Sequence, residues 1–93
     1  MYRLTKGVVL AKVGGERLLI ATRPAWNVCP YIKVLSPIYG MFWQGLELGM
    51  GEDAIIQEIN EKIGIKRSTL IEQFSGFINE LCKEGYITKE EDA

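Results

Sequence analysis

The sequence predicts an α+β fold in which an N-terminal antiparallel β-hairpin, or a three-stranded sheet, is followed by three helices. Three observations carry that expectation. Two apolar-rich runs, Val8 to Val13 and Glu16 to Ala21, flank the dipeptide Gly14-Gly15, and a two-residue hairpin turn needs positive φ at both central positions, which glycine adopts without strain. From Ser36 onward apolar residues recur at intervals of three and four rather than two. Gly64 and Gly85 then close two of these stretches, at the place where a helix commonly stops in a left-handed residue. A length of 93 residues, 47% hydrophobic and 25% charged, is that of one globular domain spanning 1–93, too small to enclose a deep, water-free active site.

With Gly14-Gly15 as the turn, the register follows: Val13 opposes Glu16, Lys12 opposes Arg17, Ala11 opposes Leu18, Leu10 opposes Leu19, Val9 opposes Ile20 and Val8 opposes Ala21. The face carrying Val9, Ala11, Leu18 and Ile20 is apolar nearly to the tip, the other only near its base, so helices are expected to cover the former. An isolated hairpin is marginal in water, and Tyr2 to Leu4 is the expected third strand. Residues 22–35 read as a linker, because Pro24 and Pro30 exclude a continuous helix, with Tyr31 to Val34 suited to a short extended segment.

Ser36-Pro37 is a cap followed by proline at the first helical position. Ile38, Phe42 and Leu46, with Tyr39 and Trp43 beside them, give this first helix a broad apolar face that ends at Gly49 to Gly51. The second helix spans Glu52 to Ile63, apolar at Ile55, Ile56, Ile59 and Ile63, with acids in its first turn where the helix dipole favours them. A capping box, Thr69 to Glu72, opens the third, which runs to about Glu84. Strands thus fill about 2–21 and helices about 36–87, leaving 88–93 as a frayed tail. On the third helix Leu70, Ile71, Phe74, Phe77, Ile78, Leu81 and Cys82 sweep about 140° at 100° per residue. Either the whole arc is core, or its margin around Leu70, Gln73, Phe74 and Phe77 lines a groove between this helix and the hairpin.

The sequence has no histidine and a formal charge of −1, which removes the commonest general base and metal ligand and supplies no overall attraction to phosphate. Hydrolase triads and histidine-based zinc sites are excluded, and no cofactor is expected. Cys29 and Cys82 lack metal-site spacing; they are two thiols of a reducing compartment or one disulfide. Glu52, Asp53, Glu58 and Glu61 read as dipole-favouring surface acids rather than paired catalytic carboxylates. Trp26, Tyr31, Tyr39, Phe42 and Trp43 are expected to form one packed aromatic cluster, some of it available to a partner. Met1 to Lys6 lacks the layout of a signal peptide and no apolar run is long enough to span a bilayer, so the expectation is a cytoplasmic protein without membrane contact. Charge is divided: residues 1–47 hold six Lys or Arg against Glu16 and Glu47, a net of +4, and residues 48–93 hold five against ten acids, a net of −5. The acidic half is a solvated helical surface, or the basic half faces an acidic partner.

The element set is that of a winged helix-turn-helix unit with its strands moved to the front. The strand pair Gly7 to Ala21, the Leu35-Ser36 step into an aromatic-rich helix, the isoleucine-rich second helix, and the closing Phe77-Ile78-Asn79-Glu80-Leu81 with Gly85-Tyr86-Ile87 resemble PqqD-like proteins. These are the recognition elements used in making ribosomally synthesised, post-translationally modified peptides. The resemblance covers Tyr2 to Ile87; it departs from the family in its longer proline-containing link from Ala21 to Ser36 and in Leu48-Gly49-Met50-Gly51.

The resemblance implies a non-catalytic module that takes the leader segment of a precursor peptide as an added strand and presents it to a separate modifying enzyme, such as a radical SAM enzyme, a peptidase or a cyclase. Carried onto this sequence, the receiving edge is Arg17, Leu18, Leu19, Ile20 and Ala21, and the groove wall is Leu70, Gln73, Phe74 and Phe77. Arg17, Lys12 and Arg23 would then meet acidic leader residues. The expected state is a monomer or a weak homodimer through the unprotected hairpin. The alternative is a winged helix-turn-helix DNA-binding regulator; Glu72, Glu80 and Glu84 on the third helix weigh against it, and nucleic acid is not expected as a partner.

Overall fold

The computed structural model describes residues 2–89, ordered as β1 (Tyr2–Leu4), β2 (Val8–Val13), β3 (Glu16–Ala21), β4 (Ile32–Leu35), α1 (Pro37–Glu47), α2 (Glu52–Ile63), α3 (Arg67–Glu84) and β5 (Ile87–Lys89). The hairpin has the expected register, from Val13 opposite Glu16 to Val8 opposite Ala21, with Gly14 at φ 57° and Gly15 at φ 85°. Its third strand is not Tyr2–Leu4. β4 occupies that place, and the sheet order is β2-β3-β4 with Ile20 opposite Ile32 and Arg17 opposite Leu35. β1 instead pairs antiparallel with β5, Leu4 opposite Ile87. What draws it there is the apolar side of α3: Tyr2 sets its ring edge-on to Phe74 at 6.2 Å and Ile87 is buried. Thr88 and Lys89 therefore belong to a strand, and the rest of the expected tail, 90–93, lies outside the described residues.

The face of the sheet that meets the helices is also the reverse of the one expected. Leu19, Ala21 and Leu35 are buried against them, while Val9, Val13, Ile32 and Val34 are exposed on the other side. The inner face tolerates its cations because a long side chain can lay its apolar shaft on the core and carry its charge outward. Arg17 crosses α1 at Gly40, where an added Cβ would stand 2.2 Å from Arg17 Cδ. Lys33 reaches α3.

Local signals set two of the helices as read. Ser36 Oγ accepts from the Tyr39 N–H at 3.2 Å with Pro37 in the first turn, and α2 begins after Gly51 and stops on Gly64 at φ 79°. α3 starts earlier than its capping box, at Arg67, and Lys66 gives it no side-chain cap. The turn is fixed instead by Asn60, whose Nδ2 donates to the Ile65 carbonyl at 2.7 Å. In the core, Phe42 packs edge-to-face with Phe74 at 5.0 Å and with Phe77 at 5.4 Å, contacts that add about 0.5–1.5 kcal/mol each beyond the area they bury.

The link between β3 and β4 is ordered. Arg23–Ala25 forms one 3-10 turn, Thr22 Oγ1 donates to the Gly7 carbonyl at 2.6 Å, and the buried Tyr86 donates its hydroxyl to the Pro30 carbonyl at 2.7 Å. Cys29 and Cys82 are free thiols; Cys29 is buried, which pushes its pKa up, and its Sγ lies 3.4 Å from the Ala25 carbonyl. Gly85 seats this loop: it has φ 92°, and a Cβ there would stand 2.0 Å from the Val28 carbonyl oxygen. Gly85→Ala is therefore expected to lower stability by about 2–4 kcal/mol, combining left-handed strain with a backbone clash, measured as a fall in the urea midpoint at unchanged m-value.

Candidate functional site

An antiparallel ladder bonds alternate residues to one neighbour, so the residues between them aim their backbone groups the other way. The Ala21 N–H donates to the Tyr31 carbonyl at 2.8 Å, which makes 21 and 31 a bonded pair. With the register of β3 and β4, residues 33 and 35 then face β3, and the N–H and C=O of Ile32 and Val34 face away from it. No strand among the described residues pairs with that side of β4. Beside it runs an open groove of about 460 Å³ between β4, the start of α1 and α3, lined by Val34, Ser36, Ile38, Tyr39, Gln73 and Glu80.

The floor of the groove is the aromatic core, since Tyr39 meets Phe77 edge-on at 5.1 Å. One end is pinned by charge. Lys33, whose side chain is 16% exposed, places Nζ 3.2 Å from Glu80 and 2.9 Å from Glu84, so that β4 is tied to the far half of α3. Burial by itself would lower the Lys33 pKa, but the hydrogen bonds it donates to Glu84 and Glu80, with their negative charge, outweigh it and hold the ammonium above the usual lysine value. Tyr39 is raised by burial first and by Glu80 second, and so presents a neutral hydroxyl. The groove thus offers the free backbone edge at Val34, an apolar side chain at Ile38 and polar ones at Ser36, Gln73 and Glu80.

The residues expected to form the site are redistributed. Arg17, Leu18, Leu19, Ile20 and Ala21 lie in the central strand, bonded on both sides, because β4 has taken the edge they were expected to hold. Leu70, Phe74 and Phe77 are fully buried core, and of the four wall residues Gln73 alone lines the groove. The three cations do not line it either: Arg17 turns to α1, Arg23 sits 5.8 Å over the Trp26 ring, and Lys12 is exposed near the hairpin tip. Ile32, Lys33, Val34, Ser36, Ile38, Tyr39 and Glu80, which form or adjoin the β4 edge and its groove, are not among the residues expected from the sequence; for those on β4 the extended Tyr31–Val34 segment before the Ser36 cap was the available signal. The expected single aromatic cluster is split. Tyr39 and Phe42 stack with α3, whereas Trp26 and Tyr31 pair with each other at 5.6 Å and remain 47% and 63% exposed. Among the described residues no helix is long and apolar enough to cross a membrane.

A free strand edge beside a helix-walled groove defines a fold able to accept an added strand. Two solved structures share it. TbiB1 in complex with the TbiA(beta) leader peptide matches with a TM-score of 0.76 and 19% identity, over 97% of this chain and 99% of that one. A lasso peptide synthetase B1 complexed with the leader peptide matches with a TM-score of 0.77 and 15% identity, over 95% of this chain and 98% of that one. At these identities the likeness is one of fold. No family model matches the sequence, and no curated protein does.

Lys33→Met is expected to cost about 1–2 kcal/mol at neutral pH, less than a fully buried pair because both carboxylates stay partly in solvent. A raised folded-state pKa gives stability that is complete below the unfolded value, about 10.4 for lysine, and is lost as pH climbs through the folded value. Tyr39 and Tyr86, also raised by burial, act in the same direction from about pH 10. Urea unfolding between pH 7 and 11.5 should show stability falling only at the alkaline end, with a shallower fall in Lys33→Met.

Proposed function

We propose that this chain is a non-catalytic recognition module that captures the leader segment of a ribosomally made precursor peptide and presents it to a separate modifying enzyme. The observation that carries this reading is the outward-facing backbone of Ile32 and Val34 along the groove walled by α3. A leader strand laid there bonds β4 through its main chain, turns alternate side chains toward Ser36, Ile38, Tyr39 and Gln73, and turns the others to the outer face of the sheet. Main-chain bonding gives affinity with little discrimination, so choice among leaders falls to the groove, whose charged wall is Glu80 beside Lys33. Both solved structures of the same fold hold a leader peptide, and the PqqD-like resemblance of the sequence carries the same implication.

Duplex DNA is the weaker reading. The α3 surface carries Glu72, Glu80 and Glu84, and Arg67 at its start is engaged by Gln57 Oε1. The enzyme, whether radical SAM, peptidase or cyclase, would dock on the outer face of the sheet, where Val9, Val13, Ile32 and Val34 are exposed. An exposed apolar run on one sheet face is the kind of surface that marks a protein contact.

Val34→Pro removes an edge N–H without removing a β3–β4 bond, and proline is tolerated on an edge. Its expected effect is at least a tenfold loss of affinity for the leader peptide encoded nearest to this protein, by fluorescence anisotropy, with the amide NMR spectrum still that of the folded chain. Val34→Thr keeps the N–H and should bind as the parent does. Unchanged binding by Val34→Pro would overturn the reading. Val9→Asp, on the outer face and away from β4, is expected to leave leader affinity unchanged while slowing modification of the precursor at least tenfold in a reconstituted assay.

A further inference from the structure

A second concavity lies on the other side of α1, and neither the leader groove nor the hairpin edge uses it. It is an open bowl of about 440 Å³ between the end of α1 and α2, walled by Met41, Gln44, Met50, Ile55 and Ile59, with Arg17 arriving from β3. Three observations make it more than a packing gap. The Arg17 side chain runs across Gly40, which has no Cβ to stop it. Its Nε is buried and has no hydrogen-bond partner. None of the carboxylates among the described residues forms an ion pair with it: Glu58, on the wall, is taken by Lys62 at 2.7 Å, and Glu47 stays exposed on the rim. A buried donor on a permanent cation is costly to leave unmet, and the group that answers it best is a carboxylate, which accepts charge-assisted bonds from the guanidinium edge. The two methionines and two isoleucines add an adaptable apolar wall for whatever carries that carboxylate.

We infer that this bowl is a binding site for a carboxylate borne on an apolar residue of a peptide, with Arg17 as its anion-binding group. The inference does not rest on the leader reading, because the bowl and the β4 groove have no lining residue in common. It assigns Arg17 a task in place of the leader contact expected of it, and it gives Gly40 a reason: a Cβ there would overlap the Arg17 shaft and force the side chain to shift.

The test is an NMR titration of the whole chain, labelled at arginine Nε and at the methionine and isoleucine methyls, with N-acetyl-leucine as the probe and N-acetyl-leucinamide as its neutral counterpart. Saturable shifts of Arg17 Hε and of the Met41, Met50 and Ile55 methyls are expected, with the amide about tenfold weaker. Arg17→Gln should erase the preference for the acid. Gly40→Ala should erase it too while keeping the charge, since only the flexible end of Arg17 has to move. A third probe, N-acetyl-leucyl-aspartate methylamide, carries the carboxylate on a side chain instead of a chain end. An Arg17-dependent response to either acid supports the site and names the source of the carboxylate. Equal response to acid and amide, or no shift at Arg17 Hε with either acid, overturns it.

Discussion

β4 lies against β3 with Ile20 opposite Ile32 and Arg17 opposite Leu35, and most of the functional geometry descends from that pairing. It converts β3 into a central strand and hands the free edge to β4. It fixes which backbone groups of β4 are left over, those of Ile32 and Val34. It buries Leu35, so that the chain passes at once through the Ser36 cap into α1, whose first turn supplies Ile38 and Tyr39 to the groove. And because side chains alternate along a strand, Lys33 is aimed inward at α3. A register slip of one residue would point Lys33 outward and Val34 into the core.

The groove is therefore a by-product of packing rather than a cavity cut into the core. The chain is small, and its large aromatic side chains are spent on holding α1 to α3: Phe42, Phe74 and Phe77 are fully buried. What remains at the surface beside β4 is a shallow trough with an aromatic floor. Such a trough suits a strand, which brings its own hydrogen bonds, better than a small molecule, which would need to be enclosed.

How much of this was legible depends on the range of the interaction that fixes each part. The hairpin register, the Ser36 cap and the Gly64 and Gly85 stops are set within a few residues, and the sequence shows them. The partner of β3 is set by a contact reaching across a link with two prolines, and no local pattern distinguishes Ile32–Leu35 from Tyr2–Leu4 as the third strand. The inversion of the sheet's two faces has the same origin. The hairpin shows one face more apolar than the other, yet which face the helices cover is decided by Leu35 and by the ability of Arg17 and Lys33 to snorkel, both outside its pattern. The early start of α3 is a different case: Asn60 bonds the Ile65 carbonyl across the turn, a local side-chain contact that the capping-box pattern does not show.

The division of charge along the chain acquires a structural meaning from the same contacts. A basic first half and an acidic second half invite the thought of an acidic partner, yet Lys33 carries one of those positive charges to Glu80 and Glu84 and so binds the sheet to the helices. Arg23 is laid over Trp26. Part of the asymmetry is thus consumed inside the fold, and the charge wall of the groove is Glu80, an acid, beside its lysine. Arg17, half-buried on the inner face of the sheet, crosses α1 without a carboxylate among the described residues to meet it. An unanswered arginine is the feature that internal neutralisation does not account for, and it sits on the side of the molecule away from the β4 groove.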